Sequence, residues 1–101
     1  MSTTPNEIEA ATQRTVLLFN RLKTPEATAK IVAIYPEILT IAFSGSFCYD
    51  CGGTKGYVDE FAQAFKAISK GLELKAGKTR QLNPRSFETN FFVMHNKSAL
   101  F

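Results

Sequence analysis

Ile38-Leu39-Thr40-Ile41-Ala42-Phe43-Ser44-Gly45-Ser46-Phe47 alternates: Leu39, Ile41, Phe43 and Phe47 point one way, Thr40, Ala42, Ser44 and Ser46 the other. Successive side chains of an extended chain fall on opposite faces, so a period of two predicts a strand with one side on a core. On both flanks the period changes. Upstream, Thr4-Pro5-Asn6-Glu7 supplies a Thr cap, Pro at the first helical position and a Glu placed to bond back to the cap's amide. Ile8, Ala11, Thr15, Leu18 and Leu22 follow at three- and four-residue spacing, which predicts a helix from about Pro5 to Lys23. Val16, Leu17 and Phe19 widen its apolar stripe, as packing on a sheet or on a partner chain requires.

Thr24-Pro25-Glu26 repeats the start signal, and Ala27, Ile31, Ile34 and Tyr35 again share one helical face until Pro36, so a second helix is expected. The competing reading is a strand from Lys30 to Tyr35, since Ile31, Val32, Ile34 and Tyr35 all suit strands. It needs Pro36-Glu37 as a hairpin turn, without the Gly or Asn such turns favour.

Downstream of residue 47, Gly52-Gly53-Thr54-Lys55-Gly56 reads as a loop. Tyr57, Phe61, Ala64, Phe65, Ile68 and Leu72 then mark a helix face, opposed by Asp59, Glu60, Gln63, Lys66 and Lys70, and Gly71 ends that helix. The remainder predicts strands at Leu72 to Ala76, Thr79 to Leu82 and about Ser86 to His95, with turns near Gly77 and at Asn83-Pro84. In the last of these Phe87, Phe91 and Val93 share one face and Phe92 and Met94 the other, the pattern of a central or dimer-facing strand. The order α-α-β-α-β-β-β, with a right-handed strand-helix-strand crossover ahead of a meander, predicts an α+β fold. Its architecture is a two-layer sandwich, helices packed on one mixed sheet of three to four strands, with residues 1–101 as a single domain.

Composition agrees with a folded core. The 101 residues are 45% apolar and 21% charged, and nine Phe against no Trp make the bulky interior mostly Phe, which has no polar atom to satisfy when buried. No run approaches the roughly 18 apolar residues that span a bilayer, so no membrane partner is expected. Met1 to Glu9 carries acids and no base, the reverse of a targeting segment, and a cytoplasmic location is expected. The net charge of +3 is unevenly placed: residues 1–65 hold seven acids against five bases, whereas residues 66–101 hold seven bases against Glu73 and Glu88.

Cys48 and Cys51 form a CxxC pair at the end of the predicted central strand. In a chain without an export signal such a pair points to redox or metal chemistry more than to a structural bridge. The positive end of the following helix is placed to stabilise a thiolate. The placement resembles that of thioredoxin-type proteins, in which a CxxC joins strand to helix. The likeness covers Phe47 to about Ile68, with five loop residues intervening before the helix and no Trp ahead of Cys48. Zinc is the metal the pair suits, with His95 as the one imidazole; a complete tetrahedron then needs Asp50, water or a second chain. Two reduced thiols closing a strand are the plain alternative.

Gly52, Gly53, Thr54 and Lys55, ahead of a helix, are candidates to present amides and an ammonium to an anion, although the spacing matches no phosphate-loop signature. Lys66, Lys70, Lys75, Lys78, Arg80 and Arg85 are candidates for nucleic acid, weakened because the neighbouring Phe residues read as core-facing and leave no stacking platform among the bases. No pair of carboxylates converges for acid-base catalysis, and His95 has no nucleophile near it in sequence. The sequence therefore leans away from an enzyme. It favours a small binding or assembly domain, with a homodimer, a thiol or zinc protein, and a nucleic-acid module as the readings that stand.

Overall fold

The computed structural model describes residues 5–24, 26–35, 37–45, 54–69 and 71–95. Six elements follow one another: α1 (Pro5–Lys23), β1 (Ala27–Ile34), β2 (Ile38–Gly45), α2 (Thr54–Ser69), β3 (Leu72–Asn83) and β4 (Ser86–His95). The fold is the expected α+β two-layer sandwich. The four strands lie in the order β1-β2-β4-β3, and the two helices pack side by side on one face of the sheet, α1 against β1 and α2 against β3. All hydrogen-bonded neighbours are antiparallel, so the pairing is not mixed as expected. β2 and β3 do run the same way around the α2 crossover, but β4 is inserted between them.

The expected second helix is strand β1, close to the competing strand reading. Two local features explain the misreading. Thr24 donates its backbone N–H to the Asn20 carbonyl at 2.9 Å, so it closes α1 and does not open a new helix. A bulge between Ile31 and Ala33 then turns one two-residue step into three, which brings Ala27, Ala29, Ile31 and Ile34 all toward the helices. Positions 27, 31 and 34 thereby imitate helical spacing. The hairpin closes through Tyr35, whose N–H donates to the Ile38 carbonyl at 2.8 Å. Gly45 faces Ala27 across this pair, where a Cβ would overlap the Glu26 carbonyl oxygen, so only glycine allows the two backbones this close.

β3 also differs from the expectation of two short strands. It is one element of twelve residues, and what reads as a turn near Gly77 is a second bulge, between Ala76 and Thr79. From Lys75 to Asn83 every residue of the edge strand β3 is exposed, while Phe87, Thr89 and Phe91 opposite it on β4 are buried.

The core is built from Phe. Phe43, Phe61, Phe65, Phe87 and Phe91 are fully buried and Phe19 almost so. Phe43 stacks on Phe87 at 5.0 Å and meets Phe19 and Phe61 edge-on at 5.5 and 5.7 Å, while Phe61 stacks on Phe91 at 5.6 Å. Rings from α1, α2, β2 and β4 thus meet in one cluster. On α1 the buried face runs through Ile8, Ala11, Thr12, Thr15 and Phe19, and Leu18 and Leu22, expected on it, are exposed. Thr12 and Thr15 enter the core without loss because their hydroxyls donate to the Ile8 and Ala11 carbonyls at 2.6 and 2.7 Å. At the far end of α1, Lys23 reaches α2 and pairs with Glu60 at 2.6 Å.

Candidate functional site

The two helices leave the other face of the sheet uncovered by any described element. Alternation along the strands fixes what lies there. With Leu39, Ile41 and Phe43 turned to the helices, β2 presents Ile38, Thr40 and Ala42 outward; with Phe87, Thr89, Phe91 and Val93 turned inward, β4 presents Glu88, Asn90, Phe92 and Met94. β1 adds Lys30 and β3 adds Lys75, both exposed. Phe92 and Met94 stay 46% and 47% exposed, and Ile38 37%. The register sets Ile38, Phe92 and Lys75 abreast across three strands.

The ring of Phe92 has a defined seat. A Cβ placed at Gly77 would meet ring atoms of Phe92 at 2.7 and 3.4 Å, so the ring leans from the central strand β4 onto the bare backbone of the edge strand. Covering an edge glycine with a cross-strand aromatic fixes the ring over the sheet. Beside it, Thr40 donates to Asn90 Oδ1 at 2.7 Å, which orients the amide and leaves its N–H donors without a partner among the described residues.

Charge on this face is sorted as well. Arg80 donates to Glu88 at 2.7 Å, and Lys66 reaches from α2 to Glu73 at 3.0 Å, so both acids of the second half of the chain are engaged. Lys30, Lys75 and Lys78 have no ion pair among the described residues.

The predicted basic set is therefore split. Lys66 is tied to the rim of β3 and Arg80 to Glu88. Lys75 stands beside Phe92, Lys78 sits in the bulge next to Gly77, and Arg85 lies in the β3–β4 turn, its N–H bonded to Asn83 Oδ1 at 2.9 Å. Lys70 lies outside the described residues. The sequence reading that no aromatic stands among the bases is corrected here: Phe92 does, through a cross-strand contact between residues distant in the chain. Phe92, Asn90 and Thr40 were missed as site residues, although the two-faced pattern of the last strand already carried the signal.

Cys48, Cys51, Gly52 and Gly53 lie outside the described residues, and Thr54 and Lys55 are the first two residues of α2. His95 ends β4 opposite Leu72, at the other end of the sheet from Gly45, the last residue of β2. No group of three metal-ligating side chains gathers among the described residues. No described helix is long and apolar enough to cross a membrane.

No family model, curated protein or solved structure matches this chain.

Proposed function

We propose that this chain is a non-catalytic binding domain that works through the helix-free face of its sheet. The observation that carries the reading is the exposure of Phe92, Met94 and Ile38 together on that face, at one end of the two central strands. A scattered apolar side chain on a surface is ordinary, but a contiguous group ringed by polar residues marks a contact surface. Here Lys75 stands abreast of Phe92 and Asn90 is two residues along β4, while Lys30 and Glu88 lie level with Ala42 farther along the face. Side chains kept for a partner contribute little to folding. The Phe92→Ser/Met94→Ser variant is accordingly expected to unfold within about 1 kcal/mol of the parent, or about 4–8 °C in Tm for a domain of this size. A core-like loss of about 3–5 kcal/mol would show that the pair serves the fold, and this reading would be withdrawn.

A second reading rests on α1. Leu17 and Leu22 are 71% and 69% exposed, and Leu17, Leu18, Arg14 and Arg21 border a shallow depression of about 600 Å³. A second copy of the chain laid along this stripe would cover them and make a homodimer. Static light scattering at high concentration would then return twice the monomer mass, falling to the monomer value in Leu17→Glu/Leu22→Glu. A monomeric parent removes the dimer.

A further inference from the structure

We infer that the partner of the open sheet face is single-stranded nucleic acid, with one base stacked on Phe92 and the backbone led past Lys75. The inference rests on the reading of that face as a contact surface and names what it contacts.

Three independent features meet at one place. The first is a platform. The Phe92 ring lies next to Gly77 on the neighbouring strand, and the residue still keeps 46% of its surface in solvent. A flat aromatic fixed on a central strand offers a π-face to any base, and bases in a single strand are free to lie on it, whereas bases inside a duplex are already stacked. The second is charge. Lys75 is abreast of Phe92 on β3, Lys78 sits in the bulge beside Gly77, and neither meets an acid among the described residues, while Glu73 and Glu88 are neutralised by Lys66 and Arg80. Cations that are not consumed inside the protein remain available to phosphates. The third is a base-edge reader. Asn90 is two residues from Phe92 on the same face of β4, and with Thr40 donating to its oxygen its amide N–H donors have no partner among the described residues.

The alternatives fit less well. A second copy of this chain would set Lys75 and Lys30 of both subunits into one buried interface with Glu73 and Glu88 already engaged, and like charges brought together there are unfavourable. Duplex recognition lacks its usual instrument, because the face is a sheet with no helix or projecting loop above it among the described residues.

The test is fluorescence anisotropy of the full chain with 5′-labelled oligouridine and oligothymidine of about twelve nucleotides, within the span a small single-strand module covers, and with a labelled duplex of the same length. Binding of at least one single-stranded probe is expected at low salt, weaker for the duplex, and falling steeply as salt rises. Phe92→Ala should weaken it roughly tenfold or more, the scale of one lost base stack, and Phe92→Trp should retain it. Lys75→Gln should reduce the slope of log affinity against log salt by about 0.7, one phosphate contact on a single strand. Thermal unfolding of each variant shows that it is folded. No binding to either single strand at low salt, equal binding to the duplex, or indifference to Phe92→Ala in a folded variant would overturn the inference. Any of these leaves the stability comparison of Phe92→Ser/Met94→Ser intact, so failure of the ligand and failure of the surface are separately visible.

Discussion

Phe43→Ala is expected to lower the unfolding free energy by about 3–5 kcal/mol, the usual effect of emptying a buried Phe site. Against a total stability of about 5–15 kcal/mol for a natural domain, that is enough to abolish a cooperative transition in a marginal one. Phe43 is the position where this loss should be largest. It is fully buried, it lies on a central strand, and its ring touches Phe19 from α1, Phe61 from α2 and Phe87 from β4. Each such aromatic pair contributes about 0.5–1.5 kcal/mol beyond the area it buries. The cavity would open where both layers meet, and the surrounding rings are too rigid to collapse into it. Urea or thermal denaturation followed by circular dichroism measures the change. A loss under about 1 kcal/mol would mean that the ring cluster is not the centre of the core.

The second large effect is expected at Asn20. β1 is an edge strand, and the Ala29 N–H and carbonyl that do not pair with β2 are met by the Asn20 side chain: the amide donates to the Ala29 carbonyl at 3.1 Å, and its oxygen accepts from the Ala29 N–H at 2.7 Å. One carboxamide on α1 therefore takes the place of the missing neighbouring strand at this residue. It locks the helix to the sheet and blocks the edge from pairing with another chain. Asn20→Leu keeps the bulk and removes both partners, leaving a donor and an acceptor in a half-buried position. The expected loss is about 1–3 kcal/mol, the desolvation penalty of a backbone group left without a partner. Hydrogen exchange gives a local readout that a general loss of packing would not reproduce, because the Ala29 amide should lose protection selectively. Unchanged protection at Ala29 would show that the clamp does not hold in solution.

These two sites differ in how visible they are from the sequence. Phe43 lies in a run whose alternation identifies its buried face, and it is buried on the expected side. Asn20 carries no such mark: in α1 it is one more polar residue, and its role exists only because β1 lies alongside. The same contrast holds at the candidate site. The alternation of Phe91 with Phe92 and of Val93 with Met94 foretells that the last strand has two apolar faces. It does not foretell that Gly77 would lie next to the ring of Phe92, or that Lys75 would stand beside it, because both relations come from the register of β3 on β4. Read along the chain, the basic residues of the second half look like one patch. Folded, two of them are drawn off by Glu73 and Glu88, Lys75 stands abreast of Phe92 with Lys78 in the bulge beside Gly77, and Arg85 lies apart in the β3–β4 turn.

By itself the sequence determined α1, α2, the central strands β2 and β4 and the Phe-rich core, because periods of 3.6 and 2 are local consequences of burying one side of a helix or a strand. The tertiary structure decided the rest. Residues 27–34 became a strand because β2 supplied a partner and a bulge at Val32 restored the inward direction of Ile34, against a spacing that reads equally well as helical. The insertion of β4 between β2 and β3, and the seating of Phe92 on Gly77, are likewise contacts between residues far apart in the chain. Local periodicity records which side of each element is buried; it carries no information about which element lies next to which, and the candidate site is made of that adjacency.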